Sequence, residues 1–326
     1  MKNSVKSMLV VAAAVTVTIF GCKKEETIAP TPNPASSGNS LSIASFLNKK
    51  EAPKQTFTIN ANQYQRVKGS KGTIIDFSPN SFKTQSGQPV SGSVTIELRE
   101  MYSKSDMIFS KAPTMSNHSL LVSGGELYLQ AFQNGSKLEL AGSDKVNAKF
   151  PVQNNIAPMA EFYNPSGSFE DRDEPIDWYS GDYDSTGTDS VVVMADSIEF
   201  QEYYTFNLDG MNWINCDYFY NSPGPFTDIT VNVGTQFNAS NCVVYVSFDG
   251  MSSLASLYTL GMNNTFSYGY PSIPEGLGVH IVAIANINGQ YYSAIVPATL
   301  SANFSTNVTL TPTTEAQITT AVGQLP

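Results

Sequence analysis

The chain has 326 residues with 18 basic and 28 acidic side chains, a formal net charge of −10. That excess of acid argues against nucleic acid or an anionic membrane surface as a partner, because both are held by clustered Lys and Arg. Arg172 is the last basic residue, so the 154 residues from Asp173 to Pro326 hold neither Lys nor Arg, and packing there must rest on apolar burial and hydrogen bonds rather than internal salt bridges.

The chain starts with Lys2 and Lys6, followed by thirteen largely apolar residues from Met8 to Phe20. A helix of that length rises only about 20 Å against a hydrocarbon core of roughly 30 Å, which fits a secretory signal better than a membrane span. The run stops at Ile19-Phe20-Gly21-Cys22 and gives way to Lys23-Lys24-Glu25-Glu26 and a stretch bearing Pro30, Pro32 and Pro34. The Gly-Cys pair resembles the lipobox of bacterial lipoprotein precursors, and the lysine followed by two acids resembles the export signal of surface lipoproteins in the Bacteroidota. These resemblances imply residues 1–21 as a signal peptide, acylation at Cys22, an outer-membrane lipid anchor and display at the cell surface, with a periplasm-facing position as the alternative. The alternative to acylation is a signal peptide with an incidental cysteine. Residues 22–56 are expected to form a flexible tether, with a brief helical turn over Leu41 to Leu47.

From 57 to 152 the pattern is of short strands. Val94, Ile96 and Leu98 alternate with Ser93, Thr95 and Glu97, giving a strand with one wet face. Leu127, Leu129 and Ala131 repeat the device, and Asn134-Gly135 supplies a tight turn that returns Leu138 and Leu140 beside them. Val146, Ala148 and Phe150 form another inward row. The order of Gly72 and Ile75 before Pro79, the Gly87 to Gly92 turn, Ser123-Gly124-Gly125 ahead of a strand, and a closing Val146 to Pro151 resembles the ZU-type β-sandwich found in bacterial lipoproteins. That resemblance implies protein interaction or mechanical scaffolding and no catalytic residues.

Residues 153–200 are expected to be an acidic linker or insertion. Asp182, Asp184, Thr186 and Asp189 resemble the front half of a calcium loop, in which alternating oxygen ligands curl around a hard cation. Val193 stands at the twelfth position, where an EF-hand needs glutamate, and a solvated acidic loop without any cofactor is the plainer reading. Ser185, Ser190 and Ser197, each in an Asp-Ser pair, resemble O-glycosylation acceptors of Bacteroidota envelope proteins. Trp178 and Tyr179 lie among these acids and are expected either to stack on a ligand such as a sugar or to dock the linker onto its neighbour.

The last unit, 201–326, is expected to be a second β-sandwich. Asn212-Trp213-Ile214-Asn215-Cys216-Asp217 resembles a recurring segment of Bacteroidota lipoproteins that carry the ZU-like unit, with Asn212 where a glycine is expected and Tyr218 where a basic residue is expected. Asn215 and Asp217 are either turn caps or ligand contacts. Asn288-Gly289 predicts another hairpin. Cys216 and Cys242 either pair, closing 27 residues counted inclusively, for on the order of 3–4 kcal/mol, or remain two buried thiols. His118 and His280 stand 162 positions apart without a serine elbow or a cysteine partner, so no catalytic residue is assigned.

The resulting expectation is an all-β chain of two β-sandwich-like domains after a signal peptide and tether. Its function is that of a lipid-anchored envelope module contacting an envelope protein. A glycan-binding module is the alternative, favoured if Trp178, Tyr179, Tyr268 and Tyr270 line one exposed shelf, and a glycan-processing enzyme using paired Asp or Glu is the more distant one.

Overall fold

The computed structural model describes residues 27–28, 42–153, 157–164, 169, 176–180, 191–259 and 264–326. The fold is all-β and sandwich-like, as expected. One sheet of the first sandwich runs, in spatial order, Thr27–Ile28, Gln65–Lys68, Ile74–Phe77, Val146–Pro151, Gln201–Asn207 and Val192–Asp196. The facing sheet runs Tyr179–Ser180, Ala160–Asn164, Asn212–Phe219, Ser119–Gln133, Ser93–Met101 and Gln55–Asn60. Strict alternation sends Val94, Ile96, Leu98, Leu127, Leu129 and Ala131 of one sheet against Ile75, Phe77, Ala148 and Phe150 of the other. The Asn134-Gly135 hairpin forms with positive φ at both residues, and Gln133 pairs with Ser136 across it.

The second sandwich is an eight-stranded sheet wrapped around one core, from Phe304–Asn307 and Ile229–Asn232 through Cys242–Phe248 and Gly278–Ile287 to Gln290–Thr299 and Thr311–Thr313. Val231, Val244, Val246, Ile281 and Ala283 meet within it.

A third apolar cluster fills the junction between the sandwiches and contains Phe46, Leu121, Trp178, Trp213, Tyr245, Val282 and Ile318. Three short helices close it: α1 (Ile43–Lys50), α2 (Lys104–Phe109) and α3 (Glu315–Val322). Each starts at a hydroxyl cap, Ser42, Ser103 or Thr314, and the last two have full capping boxes with Asp106 and Gln317. Caps matter here because helices of eight residues or fewer are marginal on propensity alone.

The strand Ser119–Gln133 links all three cores: Leu120 lies in the second sandwich, Leu121 in the junction, and Leu127 and Leu129 in the first. Backbone bonds stitch its beginning and the segment before it to the second sandwich, from Ser123 N to Ser252 O (3.0 Å) and from Thr114 N to Leu254 O (2.9 Å). Each large apolar side chain buried at the junction contributes about 1.5–3 kcal/mol, so the sandwiches pack as one body.

Three expected divisions move. The stretch 42–56 is not tether: Ile43, Phe46, Leu47 and Ala52 are buried in the junction, where Phe46 packs on Phe109 and Tyr291. Parts of 153–200 are strands of the first sandwich rather than linker, because apolar residues interleaved with the acids (Phe162, Phe169, Ile176, Trp178) anchor them. Residues 201–219 pair with the first sandwich through Val146–Pro151 and Ser119–Gln133, so the second sandwich starts after Phe219.

Candidate functional site

The Asn212–Phe219 strand brings the signature residues to the junction. Trp213 packs against Tyr128, Phe169 and Trp178, with the Phe169 ring stacked on it at 5.0 Å. Ile214 and Cys216 face the first core, while Asn215 and Asp217, on the other face, are fully buried. Strand alternation puts both polar side chains on the same side, and opposite them the register shifts, with one extra residue between Ser123 and Glu126. Ser123 Oγ donates to Asn215 Oδ1 (3.1 Å), Asn215 Nδ2 donates to Asp217 Oδ2 (2.6 Å), and Gly125 N donates to Ser123 Oγ (3.0 Å). Burial pushes the Asp217 carboxyl up to about 8 against the opposing pull of hydrogen bonds from Ser123, Asn215 and Gly124, so it is largely protonated at neutral pH. Both side chains are enclosed in one polar network within the strand pair.

The same network explains two features of the sequence. A side chain at Gly124 would meet the Cys216 carbonyl at 2.9 Å, and one at Gly125, where φ is +141°, would meet the Tyr102 ring at 2.2 Å. The Ser-Gly-Gly landmark is therefore a close-packing requirement. Asn212 has φ of +99°, the region that favours the glycine expected at that position.

Two recesses open beside the network. One, of about 370 Å³, is lined by Tyr102, Ser123, Met159, Tyr218 and Ser252; the other, of about 320 Å³, lies by Lys104, Met251 and Leu325 and shares Tyr102 and Gly250 to Ser252 with the first. Burial lowers the Lys104 amine to about 8, against the pull of Asp249, and it donates to the carbonyls of Phe248 and Pro326. Asp249 also contacts His280, Oδ1 to Nδ1 at 2.7 Å, and Ser247 lies opposite His280 in the strand register. The Ser247 hydroxyl is enclosed and hydrogen-bonds to neither, so the three do not form a nucleophile, base and orienter. The pairing of Asp249 and His280 escaped the sequence reading because their strands are neighbours only in space.

On the outer face of the first sandwich, Arg66 grips Asp76 through two bonds of 2.7 and 2.9 Å and reaches Asp196 at 3.5 Å, while Lys149 lies 3.0 Å from Asp76 and 2.8 Å from Asp196. Burial alone would raise Asp196, but hydrogen bonds from Lys149, Ile198 N and Glu199 N prevail and hold it at about 2. Asp196 thus ties the acidic join to the first sandwich, and Ser197 beside it is exposed in a turn.

The remaining candidates separate. Trp178 is 1% exposed and its indole N–H donates to Pro113 O (2.7 Å), so it docks rather than offering a surface; Tyr179 is 51% exposed. Cys216 belongs to the first core and Cys242 to the second, and both are free thiols, which corrects the expected pairing in favour of two buried thiols. Cys22, Asp182, Asp184, Ser185, Thr186, Asp189 and Ser190 lie outside the described residues. Among the described residues no group of His, Cys, Asp and Glu is arranged to hold a metal ion, and no helix is long and apolar enough to cross a membrane. No protein-family model matches the chain, and no curated protein matches it.

Proposed function

We propose that the chain is a lipid-anchored envelope module that captures a partner protein at the free edge of its first sandwich. The observation that carries this reading is the strand Val192–Asp196. Among the described residues it is the last strand of its sheet, and Val192, Val193 and Met194 on it are all exposed. The turn that follows holds Ile198, also exposed, and Phe200, which is 91% exposed. An unpaired edge with apolar side chains is the feature that strand addition by a partner uses: main-chain hydrogen bonds supply affinity and alternate side chains supply selectivity. The ion cluster of Arg66, Lys149 and Asp196 fixes this edge to the body, which lowers the ordering cost of docking. The Gly21-Cys22 junction supports the anchor.

The test uses the full chain in its native envelope. A photo-crosslinker at Val193 or Phe200 is expected to give a discrete adduct with an envelope protein that a crosslinker at Thr58 does not give. An alkyne palmitate analogue is expected to label the wild type and not Cys22→Ser. Identical adducts at all three positions, or none, would overturn the edge; an unacylated wild type would overturn the anchor.

A further inference from the structure

The first and second sandwiches also meet at a surface that the edge strand does not use. The strand Ser119–Gln133 is entered through a two-residue turn, Asn117-His118, in which both residues have positive φ. Three bonds and contacts fix this turn. Asn117 N donates to Asp177 Oδ1 (3.0 Å), Ser272 Oγ donates to the His118 carbonyl (2.6 Å), and the His118 ring stacks on Tyr270 with centroids 3.6 Å apart and planes inclined by 25°. Tyr268, buried behind them, meets both rings edge-on at 6.1 and 6.3 Å. The loop that presents Tyr270 is itself locked, since Asp228 accepts from Ser267 Oγ (2.7 Å) and Gly269 N (2.9 Å).

Tyr270 is 50% exposed although it is held on one side by His118 and at its edge by Tyr268. An exposed aromatic ring fixed in this way offers a large apolar plane at little further cost in side-chain entropy. Asp177 is exposed, and its neighbour Trp178 turns inward, so Asp177 and Tyr179 project together on the outer face. Tyr179 in turn lies 6.3 Å from the half-exposed ring of Tyr163. Aromatic planes and a carboxylate acceptor therefore share one shelf. None of the segments that build it, 117–118, 176–180 and 267–272, carries a Lys or Arg.

We infer that this shelf of His118, Tyr270, Asp177 and Tyr179 is a binding site for a neutral saccharide. The C–H face of a pyranose ring matches an aromatic plane, its hydroxyls match a carboxylate acceptor, and the lack of Lys and Arg in these described segments disfavours phosphorylated, sulfated or uronic ligands. Of the four aromatics named from the sequence, Tyr270 and Tyr179 serve here; Trp178 and Tyr268 are the buried supports. The site is separate from the Val192–Asp196 edge and does not depend on acylation.

The test is calorimetric titration of the detergent-solubilised full chain with cellohexaose, mannohexaose and laminarihexaose, beside a proline-rich peptide, which is the other ligand that aromatic shelves accept. Saturable binding of at least one hexasaccharide is expected, weakened by about tenfold or more in Tyr270→Ala and retained in Tyr270→Phe, which keeps the ring. Tyr179→Ala provides a second readout if Tyr270→Ala lowers the melting temperature. No binding of any hexasaccharide, binding indifferent to both alanine substitutions, or a preference for the peptide would each overturn the inference.

Discussion

The two sandwiches solve the same problem, an excess of carboxylates, by different means. In the first, Asp76 and Asp196 are neutralised by Arg66 and Lys149 of the same sheet. In the second, which has no Lys or Arg of its own, Asp228 is satisfied by Ser267 Oγ and by the backbone N–H groups of Ile229 and Gly269, and Asp249 by His280. The difference teaches that a fold short of cations can still stabilise acids, provided that backbone donors and hydroxyls converge on them. It also gathers the buried Arg and Lys ion pairs in the first half, while the largely apolar junction couples the halves mechanically.

The largest expected effect breaks that coupling. Trp213→Ala removes the ring on which Tyr128, Phe169 and Trp178 pack and should cost about 3–5 kcal/mol, splitting a single calorimetric transition into two. A single, little-shifted transition would mean that the halves are not joined through this cluster.

Next in size, Arg66→Ala deprives Asp76 of its two-bonded partner and should cost about 2–3 kcal/mol, confined to the first sandwich. Because Asp196 is held near 2, below its ordinary carboxylate value, its stabilisation is present above pH 4 and fades as pH falls toward 2. Acid titration followed by amide exchange should therefore open the strands around Arg66 before those around Val244.

The third effect has the opposite sign. The folded chain keeps a proton on Asp217 up to about pH 8, whereas the unfolded chain releases it near 3.8. Stability should fall as pH rises through that window and level off above it, by up to about 1.4 kcal/mol per pH unit. Asp217→Asn keeps an acceptor for Asn215 and should flatten this slope in denaturant titrations at pH 5, 6 and 7. An unchanged slope would mean that the carboxyl is ionised when buried.

The smallest effect is a null. Burial pushes the Cys242 thiol up to about 12 and Cys216 well above its usual value, where Asp217 and Glu161 add to the shift. Neither thiol should react with a disulfide reagent in the folded protein, and both should react in denaturant; a mass gain on reduction would show a bond between them.

What could be read from the sequence was local. The alternation of Val94, Ile96 and Leu98, and the turns at Asn134-Gly135 and Asn288-Gly289, follow from neighbouring residues and are present as expected. The ownership of strands was hidden because it depends on partners far along the chain: nothing local says that Asn212–Phe219 pairs with Ser119–Gln133. Docking of Trp178 was one of two readings open among the surrounding acids, and its burial beside Ile176 decides it; charge counts alone say nothing about which apolar side chains turn inward. Of the site, Ser123-Gly124-Gly125 and Asn215 to Asp217 stood out as motifs, but their contact across two strands did not. His118 has no catalytic motif around it, and its stacking on Tyr270 has no signature in sequence.

The placement of α1 and α3 has a consequence for how the polypeptide matures. Lys49 at the end of α1 bonds Glu315 at the start of α3 across 266 positions, and Phe46 rests on Tyr291. The seat of α1 is therefore incomplete until Glu315, 266 positions further along, has been made, which delays final consolidation and leaves the nascent chain threadable for longer.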